Sequence, residues 1–561
     1  MIICGLKLTH DGAVAVIHNG RLVFCTEFEK ISNNPRYQEI RELSEIADVL
    51  ANNGYSVGEV DHFVVDGWGG YDAGSLAKQP RLEIGNGTNY LDCWNQGEMF
   101  KLEVAQYREK MLEDSVSSLW KLRGLRIQNN SCAYYSNLHV AGHIYGAYCT
   151  SPFARKGEAS FVLVWDGGMY PRLYYIDPDA RKVDNCGPIF MLIGNVYTIF
   201  SQHFGPFKVV GSFAKDDLSI AGKVMAYIAK GDVDKALYQH FETVIRSFYD
   251  APMGFANVLA VELKKRIDGI GYSDETVLRT FHEYLGDLLV EKLRKKVSRI
   301  GRKAKNICFA GGCALNIKWN SVLRDSGLFE GIYVPPFPND SGSAIGSACL
   351  LNAVKRDQYD LDWNVYSGPN IDKGLIVLPD GWNSRPFSVE ELASLLFESN
   401  KPVVFLSGRA ELGPRALGHR SILASPISAK AKDVLNCIKK REEYRPVSPI
   451  CLEDHAASIF EPGSRDPHML FDHKVRDMWV DRIPAVVHLD NTVRLQTVSA
   501  TDDPLLAGLL KAFYDLSGIP LLCNTSANFN GCGFFPSVQS AIEWGATDHI
   551  WSENILYSKK N

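Results

Sequence analysis

The chain has 561 residues, a formal net charge of −5 and 46% apolar residues. That length argues for more than one domain, and the slightly acidic balance excludes a general basic field for nucleic acid. No apolar run is long enough to cross a bilayer, no secretory leader pattern opens the chain, and the thirteen cysteines, without CxxC spacing, read as reduced thiols of a cytoplasmic protein.

In chain order, residues 2–6 read as a short buried strand. Segments 12–18 and 21–26 flank Asn19-Gly20, a pair that favours a two-residue hairpin turn. His10, Asp11 and Gly12 precede this hairpin. An imidazole and a carboxylate at the end of a buried strand suit chemistry, although Asp-Gly also makes ordinary turns. Residues 40–150 are expected to be mainly helical. A polar, Gly- and Asn-rich insertion at 68–97 either lines an acceptor pocket or decorates the surface. The stretch Asn137-Leu-His-Val-Ala-Gly-His143-Ile-Tyr-Gly-Ala-Tyr148 reads as a helix with His139 and His143 on one face. Both imidazoles can then address one metal ion; two satisfied core histidines would share the spacing. Gly142 and Gly146 leave the helix thin enough for close backbone approach.

Ser160–Trp165, the turn Asp166-Gly167-Gly168 and the strand Arg172–Ile176 repeat the N-terminal plan of strand, acidic glycine turn and hairpin. This duplication suggests two related α/β halves, an arrangement that commonly holds a nucleotide in a cleft. Residues 217–226 carry one Gly and one Lys at a helix start, a slight phosphate signal. Residues 275–299 form an amphipathic helix with Val277, Leu278, Phe281, Leu285, Leu288, Leu289 and Leu293 on its apolar stripe. Strand Ile307–Ala310 runs into Gly311 and Gly312, with Asn316 at the next helix start. That is either a phosphate- or ribose-approach turn or a tight structural turn. Asp340 ends a Pro-rich loop before a small-residue helix, as an N-cap or a metal ligand.

Residues 357–387 lose periodicity and gain Pro, Gly and Asn, which marks a domain boundary. A capping box, Ser388 to Glu391, opens the next unit, and strand 402–406 follows. Beyond it come Arg409, Arg415 and Arg420 among glycines, the run Lys439-Lys-Arg441 to Arg445-Pro446, then Arg494, then Asn524-Thr525-Ser526. Arg forks favour bidentate capture of phosphate or carboxylate. An anion site is therefore expected, against the alternative of surface salt bridges with neighbouring Glu residues.

Taken together, His10-Asp11-Gly12-Ala13, the His139/His143 pair, Asp166-Gly167-Gly168, Gly311 to Asn316, Asn339 to Gly342, Gly413 to Gly418, Lys439 to Pro446 and Asn524 to Ser526 resemble the O-carbamoyltransferases of the NodU/CmcH type, over nearly the whole chain. The resemblance implies an α/β protein in two parts. Residues 1–365 would form an actin/hexokinase-like (ASKHA) duplicated transfer domain, related to the threonylcarbamoyltransferase. Residues 380–561 would form an α/β YrdC-like domain that makes carbamoyl-adenylate. Carbamoyl phosphate and ATP, with Mg, would be consumed in the second domain. The activated carbamoyl group would pass internally to the first, where a hydroxylated small-molecule acceptor attacks.

Carried over residue by residue, His139, His143, Asp166 and Asp340 match metal ligands. That donor set suits Fe(II), with other divalent metals as substitutes. His10 matches the general base. Gly311, Gly312 and Asn316 would meet the adenosine, and Arg415, Arg494 and Asn524 would join at the nucleotide phosphates. Lys439, Arg445 and Ser526 match carbamoyl-phosphate contacts. No nucleic acid or membrane partner is expected, and a homodimer is compatible with the pattern. Two departures stand out: Gly531-Cys532-Gly533 replaces the family's usual Gly-Glu-Pro, and Asn491 stands where Gly is common. The rival functions are an actin-like sugar or metabolite kinase, which leaves the histidine pair and the second domain unexplained, and a nucleotide-binding scaffold without turnover.

Overall fold

The structure, a computed structural model, describes residues 1–68, 88–108, 115–209, 218–247, 256–302 and 304–560. The chain divides into two compact units. The first comprises Met1–Phe24 and Glu39–Trp363; the second comprises Cys25–Gln38 and Asn364–Asn561. A short N-terminal segment therefore belongs to the second unit, an exchange that a single boundary near 357–387 does not contain.

The first unit is mixed α/β. Its strands are β1 (Ile2–Lys7), β2 (Ala13–His18), β3 (Arg21–Glu27, of which Arg21–Phe24 lie in this unit), β4 (His62–Asp66), β5 (Thr88–Asn95), β6 (Glu98–Ala105), β7 (Leu119–Ile127), β8 (Asn130–Asn137), β9 (Ser160–Val164), β10 (Arg172–Asp177), β11 (Lys182–Pro188), β12 (Asn306–Ala310) and β13 (Gly331–Tyr333). One sheet runs β3-β2-β1-β4-β8-β7 and another runs β11-β10-β9-β12-β13. In each, the first strand pairs antiparallel with the second and parallel with the fourth. The same five-strand plan thus occurs twice, as the repeated strand, turn and hairpin pattern predicts. Asn19 and Gly20 both take positive φ in the β2–β3 turn, which matches the right-handed twist of the strands they join.

Residues 40–150 are not mainly helical. Ser44–Asn52 and His139–Cys149 are helices, but β4 to β8 lie between them. Leu119–Ile127 shows why: polar residues interleave with apolar ones at period two (Trp120-Lys121-Leu122-Arg123), and Leu125 and Ile127 are fully buried. Of the insertion expected to be loop at 68–97, residues 69–87 lie outside the described residues. Thr88–Asn95 instead pairs with Glu98–Ala105 in a hairpin, turned by Gln96 and Gly97 at positive φ. Asp217 also lies outside the described residues, and the helix after it spans Ile220–Tyr227. The amphipathic helix covers Asp274–Ile300, capped by Ser273 and ended by Gly301 in the left-handed region.

The close backbone approach expected at the histidine helix is present. Its partner is the helix Ser343–Arg356, and a Cβ on Gly346 would lie 1.8 Å from the Gly142 carbonyl oxygen. The missing side chains let the two backbones touch, which brings the loop before Ser343 against the start of the histidine helix.

In the second unit one sheet runs in the spatial order Trp382–Pro386, Ile555–Lys559, His549–Ser552, Val403–Leu406, Arg420–Ala424, Leu521–Ser526, Ser448–Leu452 and Gln496–Val498. The helix Val389–Ser399 opens with the predicted Ser388/Glu391 capping box. The segment Cys25–Gln38 is tied in by Lys30. Its buried ammonium donates to Glu27 Oε1 (2.8 Å), Glu411 O (2.6 Å) and Gly413 O (2.7 Å). Three oxygens satisfy its three protons, as a buried ammonium requires. The thirteen cysteines are all unpaired, and most are buried. Among the described residues no helix is long and apolar enough to cross a membrane.

Candidate metal centre and anion cradle

In the first unit, His139, His143, Asp166 and Asp340 converge. All four are buried, and one ligand atom from each lies within 4.8 Å of the others. His139 and His143 come from one helix face. Asp166 follows β9, and Asp340 precedes the helix that packs against the histidines. Nε2 of His139 and Nε2 of His143 stand 3.1 Å apart, with Asp340 Oδ1 at 3.3 and 3.5 Å from them. Asp340 is not the helix N-cap, a position held by Gly342.

The surrounding contacts orient these donors. His139 Nδ1 lies 2.7 Å from Asp66 Oδ2; a carboxylate only accepts, so the Nδ1 proton points there and Nε2 presents its lone pair inward. Lys7 Nζ approaches Asp340 Oδ2 at 3.0 Å and Asp66 Oδ2 at 3.6 Å. Asp166 accepts the Gly312 amide on Oδ1 at 2.8 Å and the Tyr107 hydroxyl on Oδ2. Tyr107 stacks on His139, and Trp68 packs edge-on against His10, Tyr107 and His139.

The donor chemistry fits a divalent cation. Two imidazole lone pairs at 3.1 Å repel unless a proton or a metal ion takes them, and two carboxylates supply the hard anionic donors. The local fields are strong. Burial lowers His139, but Asp66 and Asp340 outweigh it and push the imidazole up to about 10. Burial raises Asp340, yet Lys7, His139 and His10 hold it well below the usual carboxylate range. Burial, then Asp166 and Asp340, keep Tyr107 protonated far above its ordinary value.

His10 sits beside this cluster. Its Nδ1 is 2.9 Å from Asp11 Oδ2 and its Nε2 is 3.5 Å from Asp340 Oδ2. The ring is 36% exposed, unlike the four buried side chains of the cluster. Burial lowers its pKa, while Asp340 and Asp11 more than compensate and raise it. Asp11 takes φ +57, a left-handed conformation that Asp tolerates better than most residues. It turns the carboxylate back onto the preceding imidazole.

Gly311, Gly312 and Asn316 take up structural duties. Gly311 has φ +88, and a Cβ there would lie 2.4 Å from the Trp165 carbonyl oxygen. The turn is tight, and the Gly312 amide is engaged by Asp166. Asn316 caps the helix Ile317–Asp325 through Trp319 N and bonds His282 Nε2.

In the second unit, Arg415, Lys439, Arg441, Arg445 and Arg494 gather with Arg36. Burial is the main force lowering each of the first five. Mutual repulsion adds to it: Arg494, Arg36 and Arg445 act on Arg415, and Arg441 and Arg36 act on Lys439. Lys439 is drawn down to about 7, and Arg441 and Arg494 to about 10. Glu442 opposes this at Arg445 and Asp466 opposes it at Arg494. A set of crowded, desolvated cations is what an anion would relieve, and it does not resemble the alternative of a surface salt-bridge network.

Lys439 Nζ donates to Ser526 O and Asn528 O (2.9 Å each) and to Asn528 Oδ1. Its protons are thus spent on the loop after Asn524-Thr525-Ser526, so what it can offer an anion is its charge. Ser526 Oγ donates to Asn528 Oδ1 at 2.7 Å. Arg494 Nε donates to Ser448 Oγ at 3.1 Å. Asn524 Nδ2 donates to Ala416 O and Gln496 Oε1, while its buried Oδ1 has no hydrogen-bond partner among the described residues. The unusual Gly531-Cys532-Gly533 loop is held by the N-terminal segment: Arg36 N donates to Gly531 O and Gly533 N to Asn34 O, at 2.9 Å each.

Sequence reasoning missed Lys7, Asp66, Tyr107 and Trp68 around the first cluster, and Arg36 and Asn436 around the second. Asp66 did carry a signal, as an acid at the C-terminal end of an apolar strand. Asn436 pins the Lys439–Arg445 loop by donating to Glu443 O and Arg445 O. Arg36 carried none, because nothing local says that residues 25–38 leave the first unit.

Residues 2–349 match the family model described as carbamoyltransferase N-terminus, and residues 393–559 match carbamoyltransferase C-terminus. The chain is 46% identical to Nodulation protein U of Rhizobium tropici, over 100% of this chain and 96% of the relative. It is 31% identical to 3'-hydroxymethylcephem-O-carbamoyltransferase of Streptomyces clavuligerus, over 97% of this chain and 96% of the relative. The chain therefore belongs to the carbamoyltransferase family and is an enzyme of that class.

Proposed function

We propose that this enzyme transfers a carbamoyl group to a hydroxyl of a small natural product in two stages. The observation that carries the reading is the convergence of His139, His143, Asp166 and Asp340 beside the half-buried imidazole of His10. The duplicated sheet plan supports an actin/hexokinase-like first unit, and the second unit is read as YrdC-like.

In the first stage the cation cluster of the second unit takes carbamoyl phosphate and ATP. Arg415, Arg445 and Arg494 neutralise phosphate oxygens. The unpartnered Asn524 Oδ1 accepts from the carbamoyl amino group, and Lys439 with Ser526 holds the loop that closes on it. Water cleaves carbamoyl phosphate to carbamate and phosphate, and a carbamate oxygen then bonds to the α-phosphorus of ATP as the bond to pyrophosphate breaks, which gives carbamoyl-adenylate. In the second stage this mixed anhydride is used at the first unit. A divalent metal, Fe(II) by donor set with Zn(II) or Mn(II) as substitutes, would hold its phosphate and stabilise charge on the leaving AMP. His10, steadied by Asp11, takes the proton of the acceptor hydroxyl through Nε2. The hydroxyl oxygen bonds to the carbamoyl carbon, and the carbon–oxygen bond to AMP breaks.

The test supplies carbamoyl phosphate, ATP, Mg and a divalent metal with a panel of hydroxylated natural products, and reads carbamoyl mass gain together with nucleotide products. AMP and pyrophosphate are expected. ADP as the sole nucleotide product, or a phosphorylated acceptor, overturns the adenylate route in favour of a kinase.

A further inference from the structure

Lys7 ends β1 with its side chain 1% exposed. Its ammonium lies 3.0 Å from Asp340 Oδ2 and 3.6 Å from Asp66 Oδ2, donates to Thr9 Oγ1 at 2.6 Å, and sits 4.0 Å from the centre of the Trp68 ring. A lysine is rarely so fully enclosed, and the acids that enclose it are a metal-ligand candidate and the residue that orients another. The charge count is simple. Asp66, Asp166 and Asp340 bring three negative charges, His139 and His143 present neutral donors when they ligate, and Lys7 brings one positive charge. Asp11 hydrogen-bonds His10 and none of the four candidate ligands, so it stands outside this count. The remainder is two negative charges, the complement of a divalent ion. Without Lys7 it would be three.

We propose that Lys7 sets the valence of this centre, its ammonium wedged between Asp66 and Asp340 so that the cluster matches a divalent rather than a trivalent cation. The proposal rests on the reading that the cluster holds a metal. Lys7 touches no substrate; it is a specificity-determining residue acting through Asp340 and Asp66. It also forms its ion pair on the Oδ2 side of Asp340, while Oδ1 faces the two imidazoles.

The full-length protein is stripped with chelator, loaded anaerobically with Fe(II), and its metal content and Fe(III)/Fe(II) midpoint potential are measured at one pH. Lys7→Met removes a positive charge and should favour the ferric ion at least tenfold, lowering the potential by about 59 mV or more for this one-electron couple. Asp66→Asn removes a negative charge and should raise it. The double variant restores the charge count and should return the potential toward the wild-type value. Opposite signs that cancel are an electrostatic signature which a merely structural salt bridge would not produce. Shifts of the same sign, or no shift in folded variants, overturn the proposal. If Lys7→Met does not fold, Asp66→Asn and the charge-paired double variant decide it by the same comparison. Wild-type protein that takes up no iron, cobalt or manganese instead removes the metal reading itself, and this proposal with it.

Discussion

His139 Nε2 faces His143 Nε2 at 3.1 Å, and Asp340 Oδ1 approaches both within 3.5 Å. Three donor atoms aim at one point, two from one helix and one from the turn before the helix packed against it. His143→Ala removes one of them. Metal content measured on purified protein should fall from one ion per chain, with affinity reduced by a factor of about 100 or more, while melting changes little in chelator. Full retention of metal would show that the pair is only a core contact.

His10 differs from the four buried side chains of the cluster in being half-buried and in having Asp11 behind it. His10→Ala should lower carbamoyl transfer by about 100- to 10,000-fold, the usual contribution of a positioned base. ATP–pyrophosphate exchange driven by carbamoyl phosphate should persist, because the proposed route assigns that step to the second unit. Unchanged transfer rates would discard the base assignment.

The contact of Gly346 with Gly142 holds Asp340 to the histidines, since a Cβ on Gly346 would lie 1.8 Å from a backbone oxygen. Gly346→Ala should destabilise the protein by about 1–3 kcal/mol through overpacking and should weaken metal binding as well. Calorimetric melting and metal titration of the same preparation check both. Loss of neither would mean that the two helices separate without consequence.

Arg445 lies in the loop pinned by Asn436 and presses its charge on Arg494 and Arg415. Arg445→Ala should raise KM for carbamoyl phosphate by about 10- to 100-fold, the scale of one charge-assisted hydrogen bond, with KM for the acceptor unchanged. Steady-state kinetics with each substrate varied separate these outcomes.

Burial, with Arg441 and Arg36, draws Lys439 down to about 7 from 10.5. In that window the unfolded chain binds the proton that the folded chain gives up, so Lys439 favours folding increasingly as pH rises from about 7 toward 10.5. Anion binding has the opposite sign, because it needs the ammonium. Sulfate keeps its charge over this range, so its affinity, measured by titration calorimetry, should fall as pH rises above about 7. Lys439→Met should flatten the profile; identical slopes in both proteins would place the titration elsewhere.

Much of the site was legible because its residues are punctuated locally. His139 and His143 share a helical face by spacing alone, and Asp166 and Asp340 stand beside glycine-containing turns at element ends. The strands β4 and β6 to β8 run against the helical expectation because short polar-apolar alternation is easily lost among charged residues, although the pattern at Leu119–Ile127 is present. Gly311 and Gly312 were ambiguous for a different reason. A glycine turn that approaches a phosphate and one that approaches the Trp165 backbone have the same sequence.

The sequence by itself determined the ligand types, the duplicated strand and hairpin plan and the abundance of arginine in the second half, since all three follow from residue identity and local periodicity. Only the tertiary structure decided that Cys25–Gln38 packs with the second unit, bringing Arg36 among those arginines, and that Lys7 and Asp66 back the histidines. Those are long-range choices: they depend on which buried ammonium finds its oxygens and on which backbones can touch, and no spacing along the chain encodes either.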